Sequence, residues 1–101
     1  MELEKTELMN NLLDLYGELL TENQLNIMEL YYMNDLSLKE ISEELNITRS
    51  AVFDAIKKAS NMLEFYESKL ELYAKEKQKR LLLEKIDELD KEAIIKEIEK
   101  L

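Results

Sequence analysis

A chain of 101 residues with one glycine and no proline has little from which to build the tight turns of a β protein. Those two residue types are also the strongest interrupters of helices, so their scarcity leaves long helices unopposed. The apolar residues follow the same restriction. Leu8, Leu12, Leu15 and Leu19 recur at steps of three and four, with Met9, Leu13, Tyr16 and Leu20 widening the stripe. The expected fold is all-α, with a first helix from Glu2 to Leu20. Gly17 lowers helicity near its end.

Two capping boxes punctuate the chain beyond Leu20. In Thr21-Glu22-Asn23-Gln24 and again in Ser37-Leu38-Lys39-Glu40, a hydroxyl residue stands three positions before a Gln or Glu. Each pair can satisfy two otherwise unpaired N–H groups at a helix start. The second helix is expected to turn Leu25, Met28 and Tyr32 inward, with Ile27 and Tyr31 beside them, and to end at Asn34-Asp35. The third carries Leu38, Ile41 and Leu45 on its inner side. After Thr48, which caps the next helix, Ala59, Leu63, Tyr66, Leu70 and Tyr73 fall at alternating four- and three-residue steps, the seam of a coiled coil or helical hairpin. The KEKQKR stretch from Lys75 to Arg80 reads as a solvated helix face. Leu82, Ile86 and Leu89 then resume the apolar spacing, and Asp90 caps a last helix with Ile94, Ile95, Ile98 and Leu101. Two parts are expected: a helical domain over residues 1–60 and a C-terminal helical extension over 61–101 that packs or dimerises.

The stretch LKEISEELNITRSAVFDAIKKA, Leu38 to Ala59, meets the demands of a helix-turn-helix, set within residues 37–59. Ile41 and Leu45 supply the buried side of the first helix, and Ser42 is small enough for close approach. Asn46 tolerates the left-handed backbone of the turn. Ile47, Val52 and Ile56 pin the second helix. Arg49, Ser50, Phe53, Asp54 and Lys57 are left facing outward, with Lys58 at the flank. Arg49 suits guanine or phosphate, Ser50 suits either, and Phe53 suits a thymine methyl. Asp54 can accept from cytosine but repels phosphate.

Charge sets the competing readings. The net charge is −9, concentrated at the start, where the first 36 residues hold eight acids and one base, Lys5. Residues 37–60 are neutral, with four of each sign. An acidic exterior weakens non-specific DNA binding, although the outward face itself carries three bases and one acid. With no Cys and no His, thiol, imidazole and zinc-finger chemistry are excluded. Neither a phosphate-binding glycine loop nor a nucleophile–base arrangement is evident, so neither an enzyme nor a bound cofactor is expected. The acidic MELEKTEL start and the lack of a long uncharged apolar run point to a cytoplasmic protein. No aromatic platform interleaved with basic residues is apparent along the chain, which makes direct RNA binding the weaker nucleic-acid reading.

From Leu20 to Tyr73 the chain resembles the YlxM-like family of small bacterial proteins, and the same segment is similar to region 4 of sigma factors. The resemblance rests on LTENQ, LYY, SLKEISEEL and TRSAVFDAIKKA. It implies a sigma-region-4-like helix-turn-helix bundle. It also implies a link to the signal recognition particle, because family members are typically encoded beside its GTPase and receptor. The sigma likeness carries DNA recognition onto Arg49, Ser50, Phe53 and Lys57. Two roles follow as expectations: a regulatory DNA-binding protein, acting as a homodimer through its C-terminal half, or a protein-binding accessory of the particle that keeps the helix-turn-helix as a scaffold.

Overall fold

A computed structural model describes residues 3–85 and 91–101, and among them all regular structure is helical. Helix α1 (Leu3–Tyr16) passes at Gly17 into a 3₁₀ turn, Gly17–Leu19, so the first helix is shorter than its apolar run. The inward stripe is Met9, Leu12, Leu13, Tyr16 and Leu20; Leu8 and Leu15 are only half-buried, and Leu19 is 55% exposed. The cause is local. The tighter turn changes the helical phase after Tyr16. Gly17 is itself buried, and a β-carbon there would come within 3.1 Å of Leu25 Cδ1.

Both capping boxes form. Thr21 Oγ1 accepts the Gln24 amide at 3.1 Å and opens α2 (Glu22–Met28); Ser37 Oγ accepts the Glu40 amide at 3.1 Å and opens α3 (Leu38–Leu45). Hydrogen bonds from Ser37 hold the Glu40 carboxyl below its ordinary range. Beyond α2 the chain widens into a π-helical turn, Glu29–Met33. It ends in left-handed Asp35 (φ 61°), where the Leu36 amide reaches back to the Leu30 carbonyl at 3.0 Å. Ile27, Met28 and Tyr32 are buried from this segment, while Leu25 and Tyr31 are half-buried.

Asn46 takes the left-handed conformation (φ 56°, ψ 48°) expected of the turn, and its amide and that of Ile47 both return to the Ser42 carbonyl. Thr48 Oγ1 accepts the Ala51 amide at 3.0 Å at the start of α4 (Arg49–Leu70). One stripe of α4 is buried: Val52, Ile56, Ala59 and Leu63. It lies against α1, α2 and α3, with Ile41 of α3 wholly buried. Ile47 departs from expectation. It is 38% exposed, because it sits inside the turn, while Val52 and Ile56 hold the helix down. Farther along, the Tyr16 hydroxyl donates to Glu67 Oε1 at 2.6 Å, joining the end of α1 to α4 across 51 residues of sequence. The Tyr16 and Tyr66 rings lie 6.1 Å apart.

The chain forms two compact units, Met1–Leu70 and Glu71–Leu101. Helix α4 runs unbroken past residue 60, and the division comes at left-handed Glu71 (φ 54°). The expected seam is thereby divided too: Ala59 and Leu63 lie in the core of the first unit, Leu70 is 47% exposed, and Tyr73 belongs to the second unit. In that unit α5 (Leu72–Leu83) and α6 (Lys91–Glu99) lie against each other. The KEKQKR stretch of α5 is exposed, as expected of a solvated face, and Arg80 pairs with Glu76 at 3.7 Å. Leu82 and Ile98 are half-buried, and Ile95 is exposed. Ile86, Leu89 and Asp90, with the side chain of Ile94, lie outside the described residues. No helix among the described residues is long and apolar enough to cross a membrane.

The turn and the core yield two predictions. Asn46→Gly should leave stability unchanged or raised, whereas Asn46→Val should cost about 1–2 kcal/mol in urea denaturation, because a β-branched residue resists the left-handed region. Burial holds the Tyr32 phenol above the ordinary tyrosine value of 10.0; the Ser60 hydrogen bond opposes the rise, and Tyr31 and Glu64 add to it. A raised phenol favours the folded state while neutral, so its contribution is complete below pH 10 and falls as pH climbs beyond. Melting temperature measured from pH 8 to 11.5 should therefore decline less steeply in Tyr32→Phe than in the wild type.

Candidate nucleic-acid interface

The N-terminal half of α4 is held from below by Val52 and Ile56, and its upper side faces water. Arg49, Ser50, Phe53, Asp54, Lys57 and Lys58 are all exposed, as the sequence spacing requires. From Arg49 to Lys58 the helix rises about 13 Å at 1.5 Å per residue, enough to lie along a major groove. Arg49 stands in the first turn, where a recognition helix brings side chains to base edges, and Lys57 and Lys58 follow two turns later. None of the three bases, nor Asp54, takes part in an ion pair among the described residues. Their charge is available to a ligand, but the geometry leaves Asp54 facing the same solvent.

Phe53 also lines a cleft that the linear sequence conceals. The residue is 55% exposed. Together with Lys57 it forms one wall of a cleft of about 380 Å³, closed by Tyr31 and Tyr32 of the π-helical turn and Lys5 of α1. Ser60, Asn61 and Glu64 line the same cleft farther along α4. The Tyr31 and Tyr32 rings meet edge to face, with centroids 4.9 Å apart. Aromatic and basic residues are thus brought together from segments that never interleave along the chain, which is why no such platform is apparent in the sequence. Two adjacent tyrosines in a helix that can bury only one of them were the available signal.

Comparison with known proteins agrees with this architecture. Residues 3–101 match the family described as "Putative helix-turn-helix protein, YlxM / p13 like". A UPF0122 protein of Exiguobacterium sibiricum is 51% identical over an alignment covering 89% of this chain and 85% of its own length. One from Bacillus pumilus is 47% identical and covers 100% of this chain and 99% of its own. Another, from Oceanobacillus iheyensis, is 54% identical over 83% of this chain and 80% of its own. With the helix-turn-helix in place and the match running through both compact units, the chain belongs to the UPF0122 family of YlxM/p13-like helix-turn-helix proteins.

Proposed function

We propose that this protein is a non-enzymatic regulator that binds duplex DNA through the exposed face of α4, within the signal recognition particle pathway suggested by the resemblance to YlxM-like proteins. The observation that carries the reading is the outward set Arg49, Ser50, Phe53 and Lys57, with Lys58 at its edge, standing on a pinned recognition helix with no ion pairs to these bases among the described residues. Arg49 is the best placed to read a base. A bidentate contact to guanine discriminates by about 1–3 kcal/mol. Lys57 and Lys58 suit phosphate, and they position the helix without reading sequence.

One recognition helix covers few base pairs, so a regulator built this way works as a dimer across two half-sites. Met62 and Phe65, both exposed on α4 beyond the recognition turns, supply apolar surface for such pairing. The competing role, a protein-binding accessory of the particle, draws on the acidic surface of α1, where Glu4, Glu7 and Asp14 are all exposed. Such a surface speeds encounters with a basic partner. The two roles separate in one titration.

Fluorescence anisotropy against the protein's own upstream DNA and an unrelated duplex, across a salt series, tests the DNA reading. The expected log–log salt slope is about −2 per protomer, one counterion for each phosphate-facing lysine, and Arg49→Ala/Lys57→Ala should lower its magnitude by about 1. Preference for the upstream duplex should vanish in the variant. Equal affinity for both duplexes, unchanged in the variant, would instead leave the motif as scaffold. In sedimentation velocity, the wild type should form a concentration-dependent dimer that Met62→Glu/Phe65→Glu abolishes; monomer alone at high concentration contradicts the dimer.

A further inference from the structure

The cleft under Phe53 has the composition of a seat for one nucleotide. Its volume, about 380 Å³, falls in the range of small-molecule pockets, roughly 300–1,000 Å³. Tyr32 and Ile56 are buried at its floor, Tyr31 is half-buried, and Phe53 stands exposed at its wall. Aromatic side chains in the lining offer surface to a flat ring, and stacking of a base on an aromatic side chain contributes about 1–3 kcal/mol. Lys5 and Lys57 reach the cleft from two different elements. Lys5 is the lone base of the first 36 residues, and it stands at this cleft.

The remaining lining narrows the ligand. Ser60 and Asn61 present hydrogen-bonding groups, and Glu64 presents a carboxylate that accepts from hydroxyls or amines. A purely apolar side chain would leave those groups unused. A small acid without a ring would leave the aromatic lining unused. A ring carrying hydroxyls on one side and a phosphate on the other uses all of them. The Tyr32 hydroxyl is engaged with Ser60, and Tyr31 packs edge to face on Tyr32, so the floor is set before any ligand arrives. The π-helical turn brings two consecutive tyrosines to one cleft, and such turns recur at functional sites.

We propose that this cleft binds a free nucleoside phosphate, with the base against Tyr31 and Phe53, the ribose toward Glu64, and the phosphate on Lys5 and Lys57. Phe53 and Lys57 also belong to the face assigned to DNA, so an occupied cleft withdraws both and adds negative charge beside the groove-facing surface. The nucleotide is thereby an antagonist of DNA binding; this coupling, though not the site itself, rests on the DNA-binding role.

Titration calorimetry and tyrosine emission of the full chain with the four ribonucleoside mono- and diphosphates test the site. Inorganic phosphate and an eight-residue thymidine oligonucleotide serve as comparison ligands. At least one nucleoside phosphate should saturate below about 1 mM, and Lys5→Ala and Tyr31→Ala should each weaken it roughly tenfold. Inorganic phosphate should be far weaker. Circular dichroism checks the fold of Tyr31→Ala, and exposed Lys5 gives a second variant that leaves the core intact. No saturation by any nucleoside phosphate, equal binding by the folded variants, or saturation by the oligonucleotide alone would overturn the site. Without nucleotide, Lys5→Ala should bind DNA as the wild type does, so loss of the cleft and loss of DNA reading are told apart. With saturating nucleotide, wild-type DNA affinity should fall roughly tenfold. Unchanged affinity would overturn the coupling.

Discussion

The burial of a single stripe on α4 governs the first unit. Val52, Ile56, Ala59 and Leu63 are almost entirely removed from water, and α1, α2 and α3 pack on that helix. Burying side chains of this size contributes about 1.5–3 kcal/mol each, apart from the smaller alanine. Because the stripe occupies only one side, the other sides of a 22-residue helix stay in solvent. The core therefore fixes the azimuth of the helix, and that azimuth decides which residues a partner meets. Tyr16 extends the same clamp toward the C-terminal end by donating to Glu67. The charged acceptor strengthens that hydrogen bond in a partly buried setting.

Charge works at two ranges. Over the whole chain the balance is −9, which opposes any approach to DNA. Over the exposed first turns of α4, three bases face one acid. At physiological ionic strength the screening length is about 8 Å, so contacts on this face are governed mostly by its own charges. The acidic remainder is felt in dilute salt and during long-range encounter. Non-specific attraction to DNA is consequently weak, and the binding proposed for this face would depend on correctly placed contacts rather than on a general basic field.

Much of this was legible in the residues. The two capping boxes, the left-handed Asn46 and the exposed set from Arg49 to Lys58 stand where their chemistry places them, because each depends on neighbours within one or two turns. What depended on distant packing was not. The shift of Leu19 outward follows from a 3₁₀ turn beside a glycine crowded by Leu25. The π-helical turn at Glu29–Met33 has no marker in its five residues. The break at Glu71 is a left-handed glutamate where glycine or asparagine would have announced it. The cleft joins Lys5, Tyr31 and Phe53, residues that only the tertiary fold makes neighbours.

The central claim is that the outward face of α4 meets DNA, and its most direct test is residue-level amide mapping by NMR during titration with the upstream duplex. Shifts should concentrate from Arg49 to Lys58 and at the Asn46 turn, with the acidic side of α1 undisturbed. Shifts confined to α1, or an unperturbed spectrum at saturating DNA, would contradict it.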